Sequence, residues 1–221
     1  MQYRDDGFLP EAVLNYLVRL GWSHGDQEIF SIDEMIELFD LPDINHGAST
    51  FNPDKLLWLN HHYLMHGDPL HVAHHLRWHL GQRGIDPTEG PDPVEVVQAQ
   101  RERNKTLVEM ADASVFFYRD FEGYDEKAAK KNLTPEAAGG LEAFRENLGA
   151  LSPWSREAIH DLIAATAESL GVKLGGIAQP LRVAVSGTSV SPPIDLTLEL
   201  LGKEKTLARI DRALQHIGKK E

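Results

Sequence analysis

The residues best suited to ligand binding are Arg182 and the loop that follows it. Arg182 is the only charged side chain between positions 174 and 194, and residues 186–191 form an uncharged loop rich in hydroxyl groups. Ser191 precedes two prolines, the pattern of a helix N-cap followed by helix-opening prolines. A guanidinium can stack on a planar ligand such as a nucleobase or donate two hydrogen bonds to it. Composition alone favours a simpler interpretation, a helix-capping loop with one solvent-facing arginine.

Histidines form the second group that could do chemistry, with seven between positions 61 and 79. They are His61, His62, His66, His71, His74, His75 and His79. His71/His75 and His75/His79 stand four residues apart on one predicted helix, a spacing that paired zinc ligands can have. No carboxylate completes the zinc-protease pattern, and the chain has no cysteine. Histidines on several faces of two helices are more typical of packing and surface positions, so we assign no metal to the chain.

Patterns typical of catalysis are missing from the sequence. His216–Lys219 resembles the start of an ATP-binding signature of class I aminoacyl-tRNA synthetases, but that signature needs a strand before it and a helix N-terminus after it. Here the tetrapeptide ends the last predicted helix, where we expect a C-cap. No Walker or Rossmann glycine loop, Ser-His-Asp set or recognisable carboxylate pair is present. We therefore predict no catalytic residue and no cofactor within the chain.

The charge distribution limits the class of partner. The 221 residues carry a formal net charge of −12, which argues against a general nucleic-acid coat because phosphate binding needs lysine and arginine. Residues 1–100 contain 16 Asp/Glu and 5 Lys/Arg, whereas residues 181–221 contain 5 and 7, so any RNA contact should be local. Without cysteine, a signal-peptide pattern or a membrane-spanning apolar run, we expect a cytoplasmic protein with no membrane partner.

The elements that would position these residues are helices. Start signals, each a capping residue with a following proline or a capping box, recur at Ser31/Glu34, Asn52-Pro53, Asp68-Pro69, Thr106/Glu109, Thr134-Pro135, Ser152-Pro153 and Ser191-Pro192. The only β-leaning run, Val183–Val185, is too short for a sheet. We predict an all-α fold, with helices that include residues 94–103 and 153–170, and a candidate Pro/Gly-rich linker at residues 84–93.

Several segments, in order, resemble the carboxy-terminal half of bacterial glutamyl-tRNA synthetases. They are Tyr3–Leu17, Leu20–Trp22, Phe51–Tyr63, Arg103–Leu107, Gln179–Gly187, and Leu201–Glu204 with the final helix. Together they extend over essentially the whole chain, which is far more specific than any single motif. The family's two ATP-binding signatures would be expected before Met1, so the resemblance implies an excised or separately expressed tRNA-binding half. The parent class I enzyme would attach glutamate to tRNA(Glu) using ATP and Mg²⁺.

The resemblance implies two regions along the chain. Residues 1–66 are expected to form a helical stem-contact region, and residues 67–221 an α-helical cage that binds the anticodon, with a possible subdivision near residue 134. Glutamyl-tRNA synthetases of bacteria use such a cage, whereas glutaminyl enzymes use β-barrels, so the all-α prediction favours the glutamyl family. The implied partners are tRNA(Glu) and the catalytic domain of the same synthetase, with the protein acting as a monomer.

Most of the implied anticodon-reading residues lie in or directly beside the hydroxyl-rich loop. Arg182, in a Pro-Leu-Arg segment, resembles an arginine at the family's anticodon pocket. Ser191, Pro192 and Ile194 resemble the loop and helix start that pack against the anticodon bases. We expect the guanidinium to pair with a base edge, while Pro192 and Ile194 provide an apolar shelf.

Two further contacts lie outside that loop. Arg103, ahead of Thr106-Leu107, matches an arginine that helps select the third anticodon base; Arg101 is the alternative register, and an ordinary helix-surface arginine is the simpler interpretation. Lys55 is assigned to the tRNA stem. The competing interpretation of the whole chain is a helical protein-interaction or regulatory module without RNA binding, and its best support is the net charge of −12.

Overall fold

The computed structural model describes residues 2–45, 47 and 49–219. These residues contain two short 3-10 helices, Leu41–Asp43 and Pro87–Glu89, and no strand. The α-helices are α1 Gln2–Asp5, α2 Pro10–Gly21, α3 Ile32–Leu38, α4 Pro53–His66, α5 Pro69–Gln82, α6 Pro93–Gln100, α7 Leu107–Tyr118, α8 Glu126–Asn132, α9 Pro135–Ala150, α10 Arg156–Ser169, α11 Leu174–Ser186, α12 Ile194–Leu201 and α13 Lys203–Gly218. The all-α prediction is confirmed. Within the described part of the chain, no helix is long and apolar enough to cross a membrane.

The helices group into two compact units. Unit 1 comprises Met1–Pro87 and Asp92–Ser114, and unit 2 comprises Thr88–Pro91 and Val115–Glu221. The boundary between these units coincides neither with residue 66 nor with residue 134. Residues on both sides of each predicted boundary pack together, because α5 packs against α6 within unit 1 and α8 packs against α11 within unit 2. The proposed stem-contact and anticodon-binding regions are defined by RNA contacts rather than by packing, and they stay predictions.

Side-chain caps begin several helices where the sequence predicted them. In the capping box of α3, Ser31 Oγ accepts from the Glu34 N–H at 3.1 Å, and the Glu34 carboxylate accepts from the Ser31 N–H at 2.7 Å. Thr106 and Glu109 make the corresponding pair at the start of α7, at 3.1 and 3.3 Å. Asn52 accepts from two N–H groups in the first turn of α4. Each cap pairs amide groups that the helix itself leaves without partners.

Two predicted helices have different bounds in the structure. α6 ends at Gln100 instead of continuing to residue 103, because the Asn104 side chain and the Arg103 N–H both donate to the Gln100 carbonyl, at 2.8 and 3.0 Å. Arg103 therefore lies in a turn, outside the helix in which the sequence placed it. α10 begins at Arg156 rather than Pro153, because Ser155 serves as its cap and accepts from the Ala158 N–H at 3.3 Å.

Two buried asparagines organise unit 1. Asn60 on α4 accepts from the Leu9 N–H at 2.8 Å and donates to the carbonyls of Gly7 and Lys105, at 3.3 and 2.6 Å. Asn15 on α2 accepts from the Phe30 N–H at 2.9 Å. Because both side chains are fully buried, these hydrogen bonds pair backbone groups that would otherwise be desolvated without partners. They hold the segments before α2, before α3 and before α7 against the two helices.

In unit 2, α11 is the central helix. It packs against α8, α9, α10, α12 and α13, and Val183, Ala184 and Val185 are all fully buried within it. The β-leaning run of the sequence is thus a helical segment, since contact with several helices outweighs the weak intrinsic preference of valine. This packing fixes the end of α11, from which the hydroxyl-rich loop emerges.

Candidate functional site

The hydroxyl-rich loop begins where α11 ends at Gly187. This glycine has φ +77°, a left-handed conformation that terminates helices and favours glycine. A Cβ atom there would lie 3.0 Å from the Phe121 ring, and the Gly187 carbonyl accepts from the Asp125 N–H at 2.8 Å. The start of the loop is therefore packed on residues 121–125 as well as joined to α11.

Arg182, near the end of α11, contacts Ser191 at the end of the loop. Arg182 Nε donates to Ser191 Oγ at 3.0 Å. Ser191 Oγ also lies 2.9 Å from the Pro192 carbonyl and 3.2 Å from Thr197 Oγ1 on α12. This chain of hydrogen bonds sets the direction in which the guanidinium leaves α11, and it joins α11 to α12 through the loop.

Ser191 does not cap α12 as the sequence predicted. The helix begins at Ile194 and is flanked by Pro193, which has no side-chain capping hydrogen bond. A residue before a proline is disfavoured in the helical region, so Pro192 remains outside the helix and Ser191 lies too far from its first turn. The Ser191 hydroxyl contacts the guanidinium of Arg182 instead.

The expected apolar shelf differs from the one in the structure. Ile194 is 8% exposed and Pro192 is buried, so both pack inward beside Ser191. The exposed apolar surface of the loop comes from Val190, which is 70% exposed, and from Pro193. Ile194 and Pro192 thus support the shape of the loop, while Val190 and Pro193 offer the surface on which a base could rest.

Two arginines of α13 hold the segment around Phe121, whose ring lies against Gly187. Arg209 is buried, and it donates to the carbonyls of Val185 and Phe116, at 2.6 and 2.8 Å, and to the Asp120 carboxylate at 2.9 Å. Arg212 donates to the carbonyl of Phe121 at 2.7 Å and stacks over its ring. Burial lowers the pKa of Arg209, while its bond to Asp120 opposes that effect. These contacts position the ring on which Gly187 packs.

A second arginine reaches the start of α12, and the sequence did not single it out. Arg156 Nε donates to Asp195 Oδ2 at 2.9 Å, and the Arg156 N–H donates to Glu199 at 2.8 Å. The hydrogen bond to Asp195 raises the pKa of Arg156. His160 Nδ1 lies 3.8 Å from the same carboxylate oxygen. A basic residue in the first turn of a helix interacts unfavourably with the helix dipole. The position of Arg156 at a helix start was therefore the one sequence signal that it has an acidic partner.

Arg103 and Lys55 belong to unit 1. Arg103 is exposed in the turn between α6 and α7, which the Thr106/Glu109 cap stabilises at its far end. Lys55 is paired with Glu28 at 2.7 Å and lies over the Trp58 ring, 4.1 Å from its centroid. The hydrogen bond from Lys55 lowers the pKa of Glu28. The charge of Lys55 is thus already partly compensated.

The histidines of this cluster lie on α4 and α5. Burial lowers the pKa of His79 to about 4, and it also lowers those of His62 and His75. His71 instead pairs with Glu11 at 2.6 Å. Among the residues that the structure describes, no group of three or more His, Asp or Glu side chains has the arrangement of a metal site.

Comparison with known protein families gives two matches along the chain. Residues 71–214, nearly two thirds of the chain, match the family model of the anticodon binding domain. The chain belongs to this anticodon-binding family. Residues 1–58 match the family model of the catalytic domain of class I tRNA synthetases for glutamate and glutamine (E and Q). The anticodon-binding match includes Arg103, Arg182 and the whole hydroxyl-rich loop.

Curated relatives of this anticodon-binding chain are glutamate–tRNA ligases. It is 62% identical to glutamate–tRNA ligase 1 of Alkalilimnicola ehrlichii over 219 residues, which are 99% of this chain and 46% of that protein. It is 60% identical to glutamate–tRNA ligase 1 of Nitrosococcus oceani, over 98% of this chain and 46% of that protein. The chain thus spans about half the length of the curated relatives it matches. The resemblance to bacterial glutamyl-tRNA synthetases is confirmed.

Solved structures agree with the sequence comparison. A glutamate tRNA ligase from Elizabethkingia meningosepticum, crystallised in complex with its amino acid, superposes with a TM-score of 0.85 at 30% identity, over 97% of this chain and 43% of that one. The glutamate-tRNA synthetase of Elizabethkingia anophelis superposes with a TM-score of 0.81, also at 30% identity, over 96% and 42%. The fold of this chain is therefore that of the corresponding part of these enzymes.

Proposed function

We propose that this chain binds tRNA(Glu) as the tRNA-binding part of a class I glutamate–tRNA ligase, with the loop after α11 reading the anticodon. The observation that carries the proposal is the anticodon-binding family match over residues 71–214, within which Arg182 is held by Ser191 at 3.0 Å beside an exposed, uncharged loop. An oriented guanidinium beside apolar and hydroxyl surface can pair with a base edge and support its face.

Other residues would contact the tRNA in different ways. Arg103, exposed in its turn, would help select the third anticodon base, and Lys55 would contact a stem phosphate. Ser191, Pro192 and Ile194 would shape the loop that packs against the bases. Residues 1–66 would contact the tRNA body, and residues 67–221 would contact the anticodon.

The chain alone would not catalyse aminoacylation. Its match to the catalytic-domain model is confined to residues 1–58, and the sequence has no phosphate-binding glycine loop. ATP and Mg²⁺ would serve the catalytic domain of the parent ligase, a cytoplasmic enzyme in which this part acts as a monomer. Pure chain should therefore show no glutamate-dependent ATP–pyrophosphate exchange, and detectable exchange would contradict the assignment of catalysis to another part.

Fluorescence anisotropy with labelled tRNA(Glu) and an unrelated tRNA tests the binding function. We expect tighter binding of tRNA(Glu), and an affinity that falls steeply as salt rises because cations are released from the phosphates. Equal and negligible binding of both tRNAs at low salt would reject the proposal and favour the protein-interaction module. A heat-denatured tRNA(Glu) sample provides the control for recognition of the folded anticodon arm.

A further inference from the structure

Arg156 is anchored at two points beside the anticodon-reading loop. Its backbone N–H donates to Glu199 and its Nε to Asp195, and the Asp195 side chain is only 11% exposed. Asp195 directly follows Ile194 at the start of α12. A side chain tied at its Nε by a buried carboxylate has lost much of its rotamer freedom, so little further ordering is needed when a ligand binds.

The outer edge of the same guanidinium is available to a ligand. The Arg156 side chain is 53% exposed, and its Nη groups donate to none of the residues that the structure describes. Arg145, in the same unit, has a different arrangement: its Nε and Nη2 both donate to Asp211, the latter at 2.8 Å. Arg145 thus uses its fork within the protein, whereas only the Nε edge of Arg156 is paired with a carboxylate.

Arg156 and Arg182 are both linked to the first turn of α12. Arg182 reaches it through Ser191 and Thr197, and Arg156 reaches it through Asp195. Asp195 and Thr197 both belong to the first turn of α12, which directly follows the exposed Pro193. The two arginines are therefore linked to the same helix start, one directly and one through Ser191.

We propose that Arg156 is a second base-reading residue of this site, whose Nη groups donate to the edge of a base in the anticodon loop. This inference rests on the proposed function. A base edge is favoured over a phosphate because the Arg156–Asp195 pair has no net charge, so its long-range attraction for phosphate is largely cancelled. The directional hydrogen bonds of the Nη groups remain, and these distinguish one base edge from another.

The test compares tRNA(Glu) with variants altered singly at each anticodon-loop position, using the full 221-residue chain. Arg156→Ala should weaken tRNA(Glu) by about 5- to 150-fold and lower discrimination at one loop position by a similar factor. Arg156→Lys should show the same loss of discrimination as Arg156→Ala, since lysine has the charge but not the planar fork. Asp195→Asn should steepen the salt dependence by adding net positive charge, while it lowers discrimination at the same position.

Arg145→Ala is the matched control, because it removes an exposed arginine paired with an aspartate elsewhere in unit 2, and it should leave discrimination unchanged. Thermal unfolding of each variant separates loss of the fold from loss of the contact. Uniform weakening of all tRNAs by Arg156→Ala with a shallower salt dependence would identify a phosphate contact and overturn the proposal, as would wild-type binding. If the unmodified chain itself shows no tRNA preference, the proposed function fails instead.

Discussion

Arg182 and Ser191 stand nine residues apart in the chain, and their Nε and Oγ atoms lie 3.0 Å apart. The same hydroxyl approaches Thr197 on α12 at 3.2 Å, so the guanidinium is oriented by the helix that follows the loop rather than by its own helix alone. Ser191 thus links the guanidinium of Arg182 to the start of α12.

Arg182→Ala should cost about 1–3 kcal/mol in binding of tRNA(Glu) and relax the preference at one anticodon base, because a base-edge contact is lost. Ser191→Ala should cause a smaller loss in the same direction, since the arginine remains but loses its hydrogen bond to Ser191. Anisotropy titrations against tRNA(Glu) and single-base anticodon variants measure both effects. Wild-type affinity and preference in Arg182→Ala would reject this residue as a reader.

Arg103→Gln should alter selection at the third anticodon base, since glutamine keeps hydrogen-bonding capacity but loses the charge and the fork. Arg101→Gln tests the alternative register with the same chemical change two residues earlier. The prediction holds if the preference at that base changes in Arg103→Gln alone. A change confined to Arg101→Gln would transfer the assignment to the other arginine.

Lys55→Ala should weaken all tRNAs alike and reduce the slope of log affinity against log salt by about 1, because one phosphate contact is removed. Glu28→Gln should act in the opposite direction, since Glu28 lies 2.7 Å from Lys55 and compensates its charge. Salt titrations of the two variants with two different tRNAs give the comparison. An effect of Lys55→Ala on one tRNA only would contradict a stem-phosphate contact.

Arg209→Met should lower the free energy of unfolding by about 3 kcal/mol, because it leaves buried carbonyl groups without their charged donor. Those groups are the carbonyls of Val185 and Phe116, at 2.6 and 2.8 Å from the guanidinium. Arg212→Met, at a more exposed position of the same helix, should cost less. Urea denaturation measures both, and equal losses would show that burial of Arg209 has no special role.

Stability should fall as the pH drops from about 7 towards 4, because of His79. His79 is 2% exposed and burial lowers its pKa to about 4, whereas a histidine in the unfolded chain titrates near 6.5. Between these values the unfolded state binds more protons than the folded state, so acidification destabilises the fold by up to about 3 kcal/mol. Urea titrations at pH 7, 5.5 and 4 should show a weaker pH dependence in His79→Gln than in wild type.

His74→Gln is the control for that experiment, because His74 is exposed on the same helix. It should retain the wild-type pH dependence. If both substitutions leave the pH dependence unchanged, other groups are responsible for the acid sensitivity of the chain.

Local sequence determined the class of fold and most helix starts. Ser31/Glu34, Asn52 and Thr106/Glu109 cap the helices they were expected to cap, because a capping side chain and the amides it pairs are within a few residues of each other. The resemblance that led to Arg182 and Ser191 also depended on short, ordered segments of sequence. The structure places these two residues in contact, while their role in reading an anticodon remains a prediction.

Contacts between distant parts of the chain were decided only by the tertiary structure. Arg156 and Asp195 are 39 residues apart, and no local pattern shows that the carboxylate takes one edge of the guanidinium and leaves the other to solvent. Likewise, Ile194 resembles a base-packing residue in sequence but is turned inward, and Val190 is exposed in the same loop. Periodicity predicts which residues share a helix face, whereas burial and ion pairing depend on which helices meet, and long-range packing determines that.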